Sequence, residues 1–205
     1  MGQNTGINTG SSAGGSDILT SGGTTAPPSF ANTPCGGLHK IARYEPTGTE
    51  VLLTSALDAT KYSSYKLVIS PVLSDASGSL AMTCSIDNGA TWITTGSYRV
   101  TGKHYSLEAV VATNASVDNS ALTVMRLVHA MDTSTVGVCT VHFQCIASAG
   151  FYGRALSCTY STIKSEYQFG THMINYPSAT TVNALRISNS GNLTGTIIDL
   201  YGVVI

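Results

Sequence analysis

Apolar residues in this chain recur at the spacing of strands, in short blocks separated by turn formers. Glu50-Val51-Leu52-Leu53-Thr54, Tyr65 to Leu73 and Leu80 to Ile86 mix β-branched, aromatic and small polar residues, as half-buried strands do. Pro71 falls inside the second block, and its missing N–H demands a bulge or an edge position there. Further blocks occupy Tyr98 to Thr101 and His104 to Leu107. Beyond the Asn-rich break Thr113 to Asn119 come residues 121–131, 137–147, 151–163 and 166–176. Val182 to Ser188 and Leu193 to Val203 close the series, joined by Asn189-Ser190-Gly191-Asn192. Leu57 to Tyr62 has room for one helical turn, and no stretch is convincingly amphipathic at helical period. Eight to ten strands, spaced about ten residues apart, predict an all-β fold, a jelly-roll-like two-sheet β-sandwich.

The first 36 residues break this pattern. They are Gly, Ser, Thr, Asn and Pro around isolated Ile7, Ile18, Leu19 and Phe30, too few apolar groups to offset the entropy of ordering the segment. Pro27-Pro28 and Thr33-Pro34-Cys35-Gly36-Gly37 punctuate it, Leu38 to Tyr44 reads as a short strand, and Glu45-Pro46-Thr47-Gly48 stops that strand. The division expected is an extended N-terminal arm and joint over residues 1–48 and a sandwich body over 49–205. An arm without its own core is ordered by neighbouring subunits, through main-chain bonds and the anchors Ile7, Ile18, Leu19 and Phe30.

Composition extends this picture. Hydrophobic residues make up 42% of the 205 positions, enough for a real core, whereas only 10% are charged, well below the usual quarter or so. The polar surface is therefore built from Ser, Thr, Asn and Gly, which suits packing against neighbours. A net charge of −1 and the lack of any Lys/Arg run argue against nucleic acid as a partner. No apolar run is long enough to span a membrane as a helix. The opening Met1-Gly2-Gln3-Asn4-Thr5-Gly6 has neither a basic nor an apolar region, so no secretory signal is expected. Cys35, Cys84, Cys139, Cys145 and Cys158 are odd in number and contain no C-x-x-C pair, the pattern of reduced, buried thiols.

Ser85-Ile86-Asp87-Asn88-Gly89-Ala90-Thr91-Trp92 brings turn chemistry and the single tryptophan together. Asn88-Gly89 between two strand-like runs predicts a tight hairpin, with Gly89 at positive φ, Asp87 accepting backbone N–H groups and Trp92, a core residue, closing the hairpin. The string resembles the Asp-box, Ser-x-Asp-x-Gly-x-Thr-Trp, with Ser85, Asp87, Gly89, Thr91 and Trp92 at its defining positions. In sialidase-like propellers that box recurs blade by blade and is structural. A single copy implies a hairpin in another kind of all-β domain.

Candidate chemistry is sparse. His39, His104, His129, His142 and His172 fall one to an element. Cys139-x-x-His142-x-x-Cys145 has a ligand-like composition, but in a strand residues 139 and 145 face one way and 142 the other, so no metal is expected. No Gly-x-Ser-x-Gly elbow selects a serine nucleophile. The acid pairs Glu108 with Asp118, and Asp132 with Glu166, have no sequence context that joins them in a cleft. No catalytic residue, cofactor or enzyme activity is expected. Tyrosines outnumber phenylalanines ten to four. Tyr62, Tyr65, Tyr98, Tyr105, Tyr152 and Tyr160 could stack on sugars or line seams between subunits, and the seams are the preferred reading.

The Tyr65-x-Leu67-Val68 strand, the Asp-box-like segment and the ending Gly195-Thr196-Ile197-Ile198-Asp199-Leu200-Tyr201-Gly202-Val203 resemble the β-sandwich domains of tailed-bacteriophage structural proteins, over roughly residues 50–205. The resemblance implies a virion component made in the bacterial host cytoplasm, assembling as a homotrimer on the major capsid protein or other virion subunits. Such a protein would be a capsid decoration, or cement, protein docked through its arm. The alternative it implies is a tail or head fibre that binds a host-surface glycan.

Overall fold

The structure, a computed structural model, describes the backbone of residues 18–20, 29–31, 37–108, 111–146 and 150–204. The body holds β3 (Leu38–Tyr44), β4 (Glu50–Leu53), β5 (Tyr62–Val72), β6 (Gly78–Ser85), β7 (Tyr98–Glu108), β8 (Val111–Leu122), β9 (Met125–Met131), β10 (Thr135–Ile146), β11 (Gly150–Ser161), β12 (Glu166–Tyr176), β13 (Ala184–Ser188) and β14 (Ile198–Val204). The earlier strands β1 (Ile18–Thr20) and β2 (Ser29–Ala31) pair only with each other.

Two sheets form the body. The large one runs β3-β14-β5-β10-β11-β12-β7-β8 and the small one β4-β13-β6-β9. With the hairpins β7–β8 and β11–β12 set aside, the orders β3-β14-β5-β10 and β4-β13-β6-β9 remain. Successive strands then alternate between sheets, except from β6 to β9, which pair with each other in the small sheet. This is the double Greek key of a jelly roll. Both hairpins are inserted into that plan and extend the large sheet beyond β10, so eight strands face a cover of four.

Three expectations change. β3 pairs along its length with β14, Leu38 opposite Val203 and Tyr44 opposite Ile198, so the body begins at residue 38 and not at 49. The arm is not uniformly extended, because β1 and β2 make an antiparallel ribbon with Leu19 opposite Phe30. The Asn-rich stretch Thr113 to Asn119 is no break but part of β8, paired with β7 from Val100 to Glu108. An edge strand needs only one neighbour, and polar residues there deter further pairing. Pro71 behaves as its chemistry requires: the register with β10 slips between Ile69 and Val72, which leaves Ser70-Pro71 in a bulge. Asp58 O accepts the N–H of Lys61 at 3.1 Å and of Tyr62 at 3.0 Å, giving the single turn foreseen after Leu57.

Alternation builds the core. Tyr65, Leu67 and Ile69 of β5, Val141 and Phe143 of β10 and Leu200 of β14 point inward to meet Leu80, Met82 and Cys84 of β6 and Leu185 and Ile187 of β13. Tyr65 stacks on Phe143 at 5.1 Å and Phe143 on Phe151 at 5.0 Å between ring centroids. Gly153 keeps that stack open, because a Cβ there would lie 2.9 Å from Phe143 Cβ. Tyr98, fully buried, links the two sheets: its hydroxyl accepts the Cys84 N–H at 2.7 Å and donates to Ile93 O at 2.8 Å.

Tyr98→Phe removes one oxygen and leaves a buried N–H without its partner, which costs about 1–3 kcal/mol. Chemical denaturation should show that loss, whereas Tyr105→Phe on the exposed face should stay within about 0.5 kcal/mol of the parent. Equal stability of both variants would contradict the role assigned to the Tyr98 hydroxyl.

Candidate functional site

The Asp-box-like segment is folded as its residues suggest, but it is not a hairpin. β6 ends at Ser85 in the small sheet, the next strand begins at Tyr98 in the large sheet, and Trp92 to Thr95 belong to no strand. The segment is the loop that crosses between sheets. Asp87 organises it by accepting the Ser85 hydroxyl at 2.6 Å, the Thr91 N–H at 2.9 Å and the Thr91 hydroxyl at 2.5 Å. Those bonds, from Ser85 first and then Thr91, bring its carboxyl down to about 2. Ser85 Oγ also accepts the Gly89 N–H at 2.9 Å. Asn88 and Gly89 both take positive φ, 59° and 90°, and a Cβ at Gly89 would meet Thr54 Cγ2 at 2.6 Å. The loop is tied to its surroundings by Ser55 N–H to Asn88 Oδ1 at 2.7 Å and Asn88 N–H to Asn183 Oδ1 at 2.8 Å. Trp92 is half-buried rather than central, with the Arg186 guanidinium 5.2 Å from its ring centre. The five residues named from the sequence lie together in this loop, four of them joined by its hydrogen bonds and Trp92 beside Gly89.

Of the arm positions, Ile18, Leu19 and Phe30 lie in the β1–β2 ribbon, and Ile7 lies outside the described residues. The four described cysteines are unpaired, Cys84, Cys139 and Cys145 buried and Cys158 exposed. Cys139 and Cys145 face the core while His142 faces solvent, as strand alternation requires. Among the described residues, no set of three His, Cys, Asp or Glu side chains is placed to hold a metal ion. Asp132 and Glu166 come to one corner of the fold. Burial alone would raise the Asp132 carboxyl; the hydroxyls of Ser161, Ser134 and Thr135 and the Ser134 N–H outweigh it and bring it to about 2. Glu166, opposite Ser161 in the ladder, accepts the Ser106 hydroxyl. Both acids are buried, so no cleft opens between them.

The surface with most to offer is the outer face of the large sheet, where β10, β11, β12 and β7 run beyond the small sheet. Here the usual polarity is reversed. Inward-pointing Ser157, Thr159, Ser161, Glu166, Gln168 and His172 are polar and buried, while Tyr105, Leu107, Val136, Val138, Tyr167, Phe169 and Met173 stand exposed on the outside. The register lines these up. Val136, Tyr160, Tyr167 and Leu107 share one row across four strands, and Val138, Cys158, Phe169 and Tyr105 the next. Tyr160 and Tyr167 are 4.5 Å apart between centroids. Tyr167 is 59% and Phe169 46% exposed. At about 150–250 Å² for each large side chain, the two rows present on the order of 500 Å² of apolar surface, as large as the patches that mark interaction sites. Of the sugar-stacking candidates, Tyr62, Tyr65 and Tyr98 are buried in the core, and Tyr105 and Tyr152 are exposed.

Further along the same face the character changes. Lys66 on β5, His142 on β10 and Arg154 on β11 stand directly opposite one another, followed by Met173 on β12. Beside them a concavity of about 320 Å³ is lined by His142, Gln144, Tyr152, Arg154, Met173 and Ser64. Sequence reasoning missed this row, because residues 66, 142 and 154 become neighbours only through the ladder.

Beneath the extension, three imidazoles gather. His104 of β7 and His129 of β9 meet edge to face at 5.2 Å, and His172 of β12 lies against Gly102 and Gly170, where any Cβ would strike its ring. His104 Nε2 and His172 Nδ1 are enclosed without a hydrogen-bond partner. Burial lowers all three from the ordinary 6.5. His104 and His129 press His172 lower, His104 and Arg126 do the same to His129, and Glu166 partly restores His104.

No protein-family model matches this chain, and neither the curated proteins nor the solved structures contain a significant match.

Two outcomes follow. The folded state holds these histidines neutral and the unfolded chain protonates them more readily. Stability is therefore full above about pH 6.5 and declines as pH falls through that value toward the lower folded values. Melting temperature should be level from pH 8 to 7 and fall between 6.5 and 5, with a shallower fall in His129→Gln; a level profile over the whole range would refute the account. For the crossing loop, Asp87→Asn should speed hydrogen exchange at the Thr91 N–H selectively, leaving the β5 and β10 amides at their parental rates. Unchanged exchange at Thr91 would mean Asp87 does not hold the loop.

Proposed function

We propose that this chain is a structural subunit of a tailed-bacteriophage virion, a capsid decoration protein that docks through its N-terminal arm and stabilises the particle. Its work is mechanical, with no catalytic step. The observation that carries the reading is the reversed polarity of the extension. A sheet that hides polar groups and shows Tyr105, Leu107, Tyr167 and Phe169 to solvent gains by being covered, and a surface nearly free of charge at that end loses little when water leaves. The low charge content and the Gly/Ser/Thr-rich first 36 residues point the same way, as does the resemblance to virion sandwich domains. A homotrimer buries such faces within the assembly, and the major capsid protein or another virion subunit takes the arm. The subunit would be made in the host cytoplasm and act in the virion.

Electron microscopy of particles from infected cells, labelled with antibody to this chain, tests the reading directly. Label over the capsid surface is the expected result, label on the tail would move the chain to the fibre class, and bare particles would overturn the proposal. In parallel, a chain lacking residues 1–36 should stay folded yet fail to join particles. Phe169→Glu should shift the full chain toward monomer in sedimentation velocity. Retained incorporation without the arm would exclude it as the docking element.

A further inference from the structure

We infer that the concavity at the cationic end of the large sheet's outer face is a binding site for an acidic saccharide, a sugar chain bearing carboxylate or sulfate groups. The first support is charge. Lys66 and Arg154 flank His142 in one row across three adjacent strands, which sets two cations about 10 Å apart on either side of one imidazole with no acidic residue between them. Among the described residues neither Lys66 nor Arg154 forms an ion pair. The salt bridges join Lys40 and Arg43 to Asp199, and Arg186 to Glu50. Among the described residues, the hydrogen bond of Arg154 is to the Thr171 hydroxyl, at 3.5 Å. Of the acidic positions on this face, Asp199 is already closed by Arg43 and Lys40, and Asp118 falls in the same row but three strands from Arg154, on the far edge strand β8.

Shape and polarity narrow the ligand. The concavity, about 320 Å³, is at the small end of the range for ligand sites, and three strands at about 4.8 Å spacing span roughly 10 Å, enough for a couple of sugar rings. Tyr152, 40% exposed, offers a flat ring to the apolar C–H face of a pyranose. Gln144 sits opposite Tyr152 and supplies an amide for hydroxyl groups, while the Arg154 fork suits a carboxylate or sulfate. A bare phosphate or sulfate ion would have no use for the tyrosine.

His142 adds a pH dependence. Burial, then Lys66 on β5 and Arg154 on β11, hold its imidazole below the ordinary value. A bound anion favours the protonated ring, so binding should strengthen as pH falls from 7.5 to 5.5. This inference does not depend on the assembly reading: a chain absent from particles could still bind sugar, and a chain that binds none could still decorate a capsid.

Isothermal titration of the full chain at low salt with three hexasaccharides provides the test: oligogalacturonate, a heparin fragment and neutral maltohexaose. At least one acidic probe should bind ten-fold or more tightly than maltohexaose, and which one binds separates carboxylate from sulfate recognition. Lys66→Ala and Arg154→Ala should each weaken that binding about ten-fold, and Tyr152→Ala several-fold. All three side chains project outward, and an unchanged melting temperature will show that each variant is folded. The inference is overturned if no acidic probe binds at millimolar concentration. It is equally overturned if the three substitutions leave affinity unchanged, or if a single-stranded oligonucleotide binds as well as the sugar irrespective of Tyr152.

Discussion

The large sheet is twice as wide as the sheet that covers it, and most of the molecule's distinctive chemistry follows from that mismatch. Eight strands of a jelly roll close over a shared apolar core between β5, β10 and β14 on one side and β6 and β13 on the other. The two inserted hairpins lengthen the large sheet past its main contact with β13 and β6, and there the edge strand β9 packs against β11, β12 and β7. An apolar inner face there would have nothing to pack on. Ser157, Gln168 and His172 occupy it instead, and the residues able to gain from burial are turned outward.

That reversal limits what the sequence discloses. Strand periodicity in Glu166-Tyr167-Gln168-Phe169-Gly170-Thr171-His172-Met173 is plain, and it separates two sets of side chains correctly. Periodicity cannot say which set is covered, and ordinary practice would send Tyr167, Phe169 and Met173 to the core. The sandwich itself was legible because blocks of alternating residues and turn formers repeat along most of the chain. The Asp-box-like loop was legible as a hydrogen-bonded knot because its partners lie within seven residues, but not as a crossing between sheets, since Asn88-Gly89 makes the same local geometry whether or not the flanking strands pair. β8 was missed because an edge strand needs neither apolar alternation nor two neighbours. The domain boundary slipped by about ten residues for a related reason: β3, also at an edge, is punctuated on both sides like a linker.

The cationic row shows the opposite kind of blindness. Net charge and the search for Lys/Arg runs both describe the chain as a line, and along that line Lys66, His142 and Arg154 are unrelated. A ladder of antiparallel strands converts distances of tens of residues into neighbours about 5 Å apart. A chain of net charge −1 can in this way carry a locally basic face, with Lys40, Arg43, Lys66, Arg99, Lys103 and Arg154 on it against Asp199 and, on the edge strand β8, Asp118. Balance elsewhere, through acids such as Asp58, Asp75 and Asp87 in loops, conceals the segregation from any whole-chain sum.

The two ends of the outer face cannot be served by one apolar partner. Covering Tyr167, Phe169, Tyr105 and Leu107 releases water from apolar surface and is favourable over the whole contact. Extending the same contact over Lys66 and Arg154 would strip water from charges that have no carboxylate beside them, a loss that apolar packing does not recover. Between the two lies the row Thr140, Leu156, Thr171 and Lys103, of mixed character, which is where a protein seam would stop. A subunit contact confined to the apolar rows leaves the cationic concavity at its rim, open to solvent and to anions, so the width that the hairpins add to one sheet supplies two separate surfaces rather than one.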